Sequence, residues 1–266
     1  MHKLGRLKNI LEEMGSVLIA YSGGVDSTFL LKVAALALPR DRLLAVTANS
    51  LTYPKQELLK ARHMAEELGV RHKIIKTQEL KDRRFVSNPA NRCYFCKKEL
   101  FSKLKGIAAE CHLKCVVDAS SLSDRFDFRP GDMAKREFHI RSPLVEARLN
   151  KKEIRCFSKS LGLPTWNQPA QACLASRIPY GKRILPIVLA RVEQAEAYLK
   201  RLGFKQVRLR HYNGLCRIEV GRDEVQGLFR RREGIVKKLK KLGYHYVTLD
   251  LEGYRTGSMN EILRRR

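Results

Sequence analysis

The sequence lacks any apolar run approaching the roughly 18 residues that a bilayer-spanning helix requires, which excludes a helical membrane protein. It is also poor in acids. Only 27 Asp and Glu stand against 53 Lys and Arg, a formal net charge of +26, and a field of that size draws polyanions such as RNA or nucleotides through counterion release. The excess runs through both halves of the chain and forms no basic tail. Colloidal solubility is its plainer reading, and dedicated nucleic-acid binding the less favoured one. The first nine residues are basic, but Glu12 and Glu13 interrupt the stretch where a signal peptide needs unbroken apolar residues. A cytoplasmic protein with no membrane partner is expected. The chain shows no internal repeat, and 44% hydrophobic with 30% charged residues is a globular composition.

Hydrophobic spacing sets out the organisation. Leu4, Leu7, Ile10, Leu11 and Met14 recur at helical intervals up to Gly15. The pattern then predicts strands over 16–21, 43–48, 72–76 and 115–118, alternating with helices over 28–38, 54–68, 95–109 and 151–161. Repeated βα units imply an α/β fold whose parallel sheet is covered on both faces, with ligands at the carboxyl ends of its strands. Pro164 and Pro169 break the alternation. The chain is therefore expected to divide into a nucleotide-binding domain over 1–168 and a small α+β domain over 169–266. The second is expected to hold a helix over 186–202, strands over 206–211, 215–220 and 246–251, and a basic helix ending near Leu242.

Between the first strand and its helix lies Ser22-Gly23-Gly24-Val25-Asp26-Ser27. Small residues there let successive backbone N–H groups and a helix N-terminus approach the phosphates of ATP. Ser22 and Ser27 add hydroxyl donors, and Asp26 can hold a magnesium ion. The loop lacks the Lys-Ser/Thr ending of a Walker A motif, whose lysine reaches the terminal phosphates.

Seven cysteines cannot all pair within one molecule, and in a cytosolic chain thiols stay reduced for metal or catalytic use. Cys93 and Cys96 stand at C-x2-C spacing beside Arg92, Lys97 and Lys98, whose charge favours thiolate. One such pair cannot close a four-ligand zinc site. Cys111, Cys115, Cys156 and Cys216 fall in or beside regular elements, where packing explains a cysteine better than ligation. Cys173 sits in an irregular loop after the proline break, followed by Ser176 and Arg177. A thiol so presented suits attack on an adenylated substrate, and a buried hinge thiol fits the same pattern.

The Ser22–Ser27 string resembles the PP-loop of the ATP pyrophosphatases. That resemblance implies that ATP is split between its α and β phosphates, that a substrate oxygen is adenylated, and that a nitrogen or sulfur nucleophile displaces AMP. With Val117-Asp118, Arg129-Pro130-Gly131, residues 142–146 and 161–166, and the string ACLASRIPYG over 172–181, the chain from about Leu4 to Val220 resembles the LarE-type ATP-dependent sulfur transferases. Such enzymes are implied to convert a carboxylate of pyridinium-3,5-biscarboxylic acid mononucleotide into a thiocarboxylate, on the way to the nickel-pincer cofactor of lactate racemase. Cys173 becomes the implied catalytic cysteine, and Cys93, Cys96 and Cys173 the implied ligands of a 4Fe-4S cluster, with one iron left open for a transferable hydrosulfide. With the loop cysteine alone, such an enzyme surrenders its own sulfur; this chain has all three.

The same resemblance implies that Arg177, Arg208 and Arg210 hold the substrate phosphate, with Glu196 near them, and that the protein forms a homo-oligomer acting on a small-molecule nucleotide. Three positions depart from the family pattern: Ser121 replaces an amide, Ser123 a carboxylate, and Arg148 a glycine. These bear on the substrate more than on the reaction type. A PP-loop tRNA thiolation enzyme is the alternative within the class. A non-catalytic basic nucleic-acid-binding protein with structural zinc is the alternative outside it, and would need a fourth ligand such as His63, His72 or His112.

Overall fold

A computed structural model describes residues 2–126, 129–170 and 172–263. In chain order the elements are α1 (His2–Met14), β1 (Val17–Ala20), α2 (Val25–Ala37), β2 (Leu43–Asn49), α3 (Lys55–Glu67), β3 (Arg71–Lys76), α4 (Arg83–Val86), α5 (Arg92–Glu110), β4 (Cys115–Val117), α6 (Gly131–Glu137), α7 (Pro143–Glu146) and α8 (Lys151–Ser160). They continue with α9 (Pro186–Arg201), β5 (Val207–Tyr212), β6 (Leu215–Val220), α10 (Val225–Arg230), α11 (Arg232–Lys241) and β7 (Tyr246–Leu249). The chain forms two compact units that interleave in sequence. One takes Met1–Glu79 with Asn91–Gln171, the other Leu80–Ala90 with Ala172–Arg266.

The first unit is built on a parallel sheet of order β3-β2-β1-β4. Its central strand, Val17–Ala20, is apolar throughout because helices cover both faces. Leu7 and Leu11 of α1, Phe29 and Leu30 of α2, and Ile154 of α8 pack with Val17 and Ile19 on one side. Phe101 and Leu104 of α5 and Ala134 of α6 pack with Leu18 and Val116 on the other. The α/β, parallel-sheet fold read from the sequence is the fold observed. Two helix starts differ in ways that matter to the site. α2 begins at Val25, directly after Gly24, so Asp26 and Ser27 lie in its first turn. α5 begins at Arg92 and not at 95, which brings Cys93 and Cys96 onto the first two turns of a helix, one above the other at i and i+3.

The second unit carries a sheet of order β5-β6-β7, with β5 antiparallel to β6 and β7 parallel to it. Leu189, Val192, Ala195 and Leu199 form the buried stripe of α9. The expected single basic helix is split at Arg231 into α10 and α11. Leu80–Ala90 joins this unit through buried Phe85 and through main-chain bonds, Ile184 N–H to the Val86 carbonyl and Gly181 N–H to the Asn88 carbonyl, each 2.9 Å.

Candidate active site

The phosphate loop leaves the carboxyl end of β1 and turns into α2. Gly23 has φ +66, and a Cβ there would lie 2.8 Å from the Ala61 Cβ and 3.0 Å from its Cα, so only glycine fits between the loop and α3. Ser22 and Ser27 close the loop on itself: their hydroxyls are 3.0 Å apart, and Ser27 donates to the Gly24 carbonyl at 3.1 Å. The Tyr53 hydroxyl donates to the Ser22 carbonyl from outside. The Ser22 amide also donates to the Ser27 hydroxyl, at 3.3 Å, and the loop runs directly into the N-terminus of α2, the positive end of the helix.

Asp26 stands among charges. Burial raises its pKa, Asp124 adds to the rise, and Lys151, Arg155 and Arg129 act against it. Asp124 is nearly buried and accepts from the Ser121 amide at 2.8 Å, the Ser121 hydroxyl at 3.0 Å, Arg129 at 2.6 Å and Lys151 at 3.0 Å. Burial alone would raise its pKa, but the Ser121 amide, Arg129 and Lys151 hold it below the usual carboxylate range. Ser121, a departure from the family pattern, therefore serves to orient Asp124. Ser123 accepts from the Lys151 amide at 3.1 Å at the start of α8, and Arg148 has φ +55, the left-handed backbone that glycine adopts without strain. Asp118, at the end of β4, accepts from Ser120 and Ser142, each at 2.6 Å, with Lys135 at 3.5 Å.

The sequence reading quoted Asp118 and Arg129 within the strings that carry the resemblance but gave no site role to them, to Asp124 or to Lys151. Nothing in sequence spacing alone brings Lys151 and Arg129 to the carboxylate of Asp124.

None of the seven cysteines is in a disulfide. Cys93 is exposed and Cys96 half-buried, near a helix N-terminus whose first turn has no acidic residue. Gly131 lets α6 approach that turn: a Cβ there would lie 3.1 Å from the Lys97 Cγ and 3.6 Å from the Cys93 carbonyl oxygen. Cys216 is buried and its thiol is pushed up to about 12, so it is inert packing; Cys156, by contrast, is exposed.

In the second unit Cys173 is exposed and precedes a single 3-10 turn, Leu174–Arg177. Its carbonyl accepts three bonds, from the Ser176 amide at 3.0 Å, the Ser176 hydroxyl at 2.8 Å and Arg177 Nη1 at 3.1 Å. Arg177 is 1% exposed. Its Nε and Nη2 form a bidentate pair with Glu196 at 2.8 and 2.9 Å, and Nη1 also reaches the Ala172 carbonyl at 2.8 Å. Burial would raise the Glu196 pKa, but Arg177, Arg208 and the Leu209 amide hold it below the usual range. Arg210 is likewise closed by Glu219, at 2.8 and 2.7 Å, while its Nη1 donates to the Ser176 carbonyl at 2.8 Å. Arg208 bonds the Val207 carbonyl and lies over the Tyr254 ring at 5.2 Å; burial and the neighbouring Arg177 lower its pKa. The sequence-expected arginines and Glu196 are thus brought together, but Arg177 and Arg210 spend their donors on carboxylates and on the cysteine loop itself.

Among the described residues no three His, Cys, Asp or Glu side chains gather closely enough to hold a metal ion. No described helix is long and apolar enough to cross a membrane.

A glycine loop between strand and helix, at the carboxyl end of a parallel sheet and beside buried carboxylates, defines a nucleotide-binding PP-loop domain. Comparison with known proteins agrees. The NAD synthase family model matches residues 5–94. The chain is 38% identical to the pyridinium-3,5-bisthiocarboxylic acid mononucleotide synthase of Lactiplantibacillus plantarum, over 98% of this chain and 95% of the relative. It is 42% identical to an uncharacterised protein of Synechocystis, over 98% of both chains. An NH(3)-dependent NAD(+) synthetase of Chlorobaculum tepidum is 33% identical over 40% of this chain and 36% of its own. The chain belongs to the LarE family of ATP-using, AMP-forming PP-loop enzymes.

Proposed function

We propose that the protein is an ATP-dependent sulfur transferase whose substrate is pyridinium-3,5-biscarboxylic acid mononucleotide, and that its product feeds the nickel-pincer cofactor of lactate racemase. The observation that carries this reading is the near full-length likeness to the Lactiplantibacillus synthase, joined to a thiol exposed on a braced loop.

The chemistry follows from the leaving groups. A carboxylate oxygen is a poor one, so it first attacks the α-phosphorus of ATP, and the bond to the β-phosphate oxygen breaks to release pyrophosphate. A sulfur nucleophile then adds to the activated carbon, and AMP departs with the oxygen. The loop amides of residues 22–27 and the start of α2 bind the phosphates. Asp26, with Asp124 beside it, offers carboxylate oxygens for magnesium, and Lys151 and Arg129 bring the positive charge that a Walker lysine supplies elsewhere. Arg208 is the proposed contact for the substrate phosphate.

Cys93, Cys96 and Cys173 are the proposed ligands of a 4Fe-4S cluster. All three are thiols, the first two close together near a helix N-terminus and the third exposed on its loop, and a cluster would have to draw the three together, since the described side chains do not gather by themselves. A cluster held by three thiolates keeps one iron open, which allows a sulfur to be renewed between turnovers. Protein purified without oxygen should be brown and hold about four irons per chain, and Cys93→Ala should lose both. Pyrophosphate release should depend on the dicarboxylate mononucleotide. Release driven by bulk tRNA, and not by that mononucleotide, would overturn the substrate assignment in favour of a tRNA thiolation enzyme.

A further inference from the structure

The segment carrying Cys173 is fixed at both ends by side chains that face the protein and not the solvent. At its start, Arg177 binds the Ala172 and Cys173 carbonyls, with Glu196 holding the other edge of the guanidinium. At its end stands Asn88, fully buried and held at φ +58. Its side-chain amide donates to the carbonyls of Ile178 at 3.2 Å, Pro179 at 2.8 Å and Lys182 at 3.0 Å, while its own carbonyl accepts from the Gly181 amide at 2.9 Å. An irregular segment has no ladder to satisfy its carbonyls, and these two residues supply the missing donors.

We infer that Asn88 and Arg177 are positioning residues for Cys173: they set the conformation of residues 172–182, from which the thiol projects, and neither contacts the substrate. For Arg177 this is a different role from the phosphate ligand that the family resemblance implies. The inference rests on the sulfur-transferase reading for its functional consequence, and on geometry alone for its structural one.

Two variants test it. Asn88→Gly keeps the left-handed backbone and removes the three side-chain bonds. The pair Arg177→Met with Glu196→Gln removes the bracing guanidinium together with the charge it pairs with, while the new amide keeps a side-chain oxygen for the Leu209 N–H. In each, amide hydrogen exchange over 172–182 should quicken about tenfold while that of β5 and β6 stays as in the parent. Sulfur transferred per adenylate formed should fall about tenfold or more, with the KM for the mononucleotide in pyrophosphate release changed by less than about twofold. A raised KM with undiminished transfer would make Arg177 a substrate ligand and overturn the inference. Unchanged exchange over 172–182 would overturn it as well, whatever the activity. Failure of the parent protein to release pyrophosphate with the mononucleotide would instead strike the proposed function, and the exchange measurement would still decide the bracing.

Discussion

Asp26, the proposed magnesium ligand, is kept at the expense of stability. Burial raises its folded-state pKa above the unfolded value, so between the two values the native state keeps a proton that the unfolded state has lost, and above both the ionised carboxylate is a cost to the fold. Asp26→Asn should therefore stabilise the nucleotide-free protein at neutral pH by about 1 kcal/mol. The gain should fade as pH falls through the raised value, while pyrophosphate release is lost at every pH; thermal melts across pH, run beside the assay, check both. Glu196 has the opposite sign. Its depressed pKa contributes stability above the unfolded value that disappears on acidification. Glu196→Ala, which leaves the Arg177 charge buried alone, should cost about 3–5 kcal/mol in denaturant unfolding.

At the scale of elements, the close approach of α3 to the phosphate loop makes Gly23 irreplaceable. Gly23→Ala combines a left-handed backbone with a clash against Ala61 backbone atoms, and should cost about 1–3 kcal/mol and abolish ATP-dependent activity. Alternation of apolar strands and amphipathic helices was legible in the sequence because the parallel sheet leaves its period in the residues, and Ser22–Ser27 was legible because only small residues suit an anion loop. The start of α5 was placed three residues late: Asn91 is of a type that favours N-caps, yet it makes no side-chain cap, and no apolar period marks Arg92 to Tyr94 as helical. The membership of Leu80–Ala90 in the second unit was invisible for a related reason: it runs through main-chain bonds, one asparagine amide and the single buried ring of Phe85, which leave no periodic trace. Burial of Arg177, Glu196, Arg210 and Glu219 was hidden as well, since charged residues read as surface until their partners are seen.

Over the whole molecule, the +26 charge exceeds what the proposed site uses. If it serves solubility, any RNA binding should be sequence-independent and should collapse between about 50 and 200 mM salt, while pyrophosphate release driven by the mononucleotide is unaffected by added RNA. Filter binding and the release assay at matched salt check this together. The central claim joins ATP cleavage in the first unit to sulfur chemistry at Cys173 in the second. Mass spectrometry of the mononucleotide after incubation with ATP, magnesium and sulfide tests it most directly, with AMP and pyrophosphate counted in the same sample. The account predicts replacement of a carboxylate oxygen by sulfur in step with one AMP and one pyrophosphate. Formation of AMP and pyrophosphate with the mononucleotide left free of sulfur would contradict it.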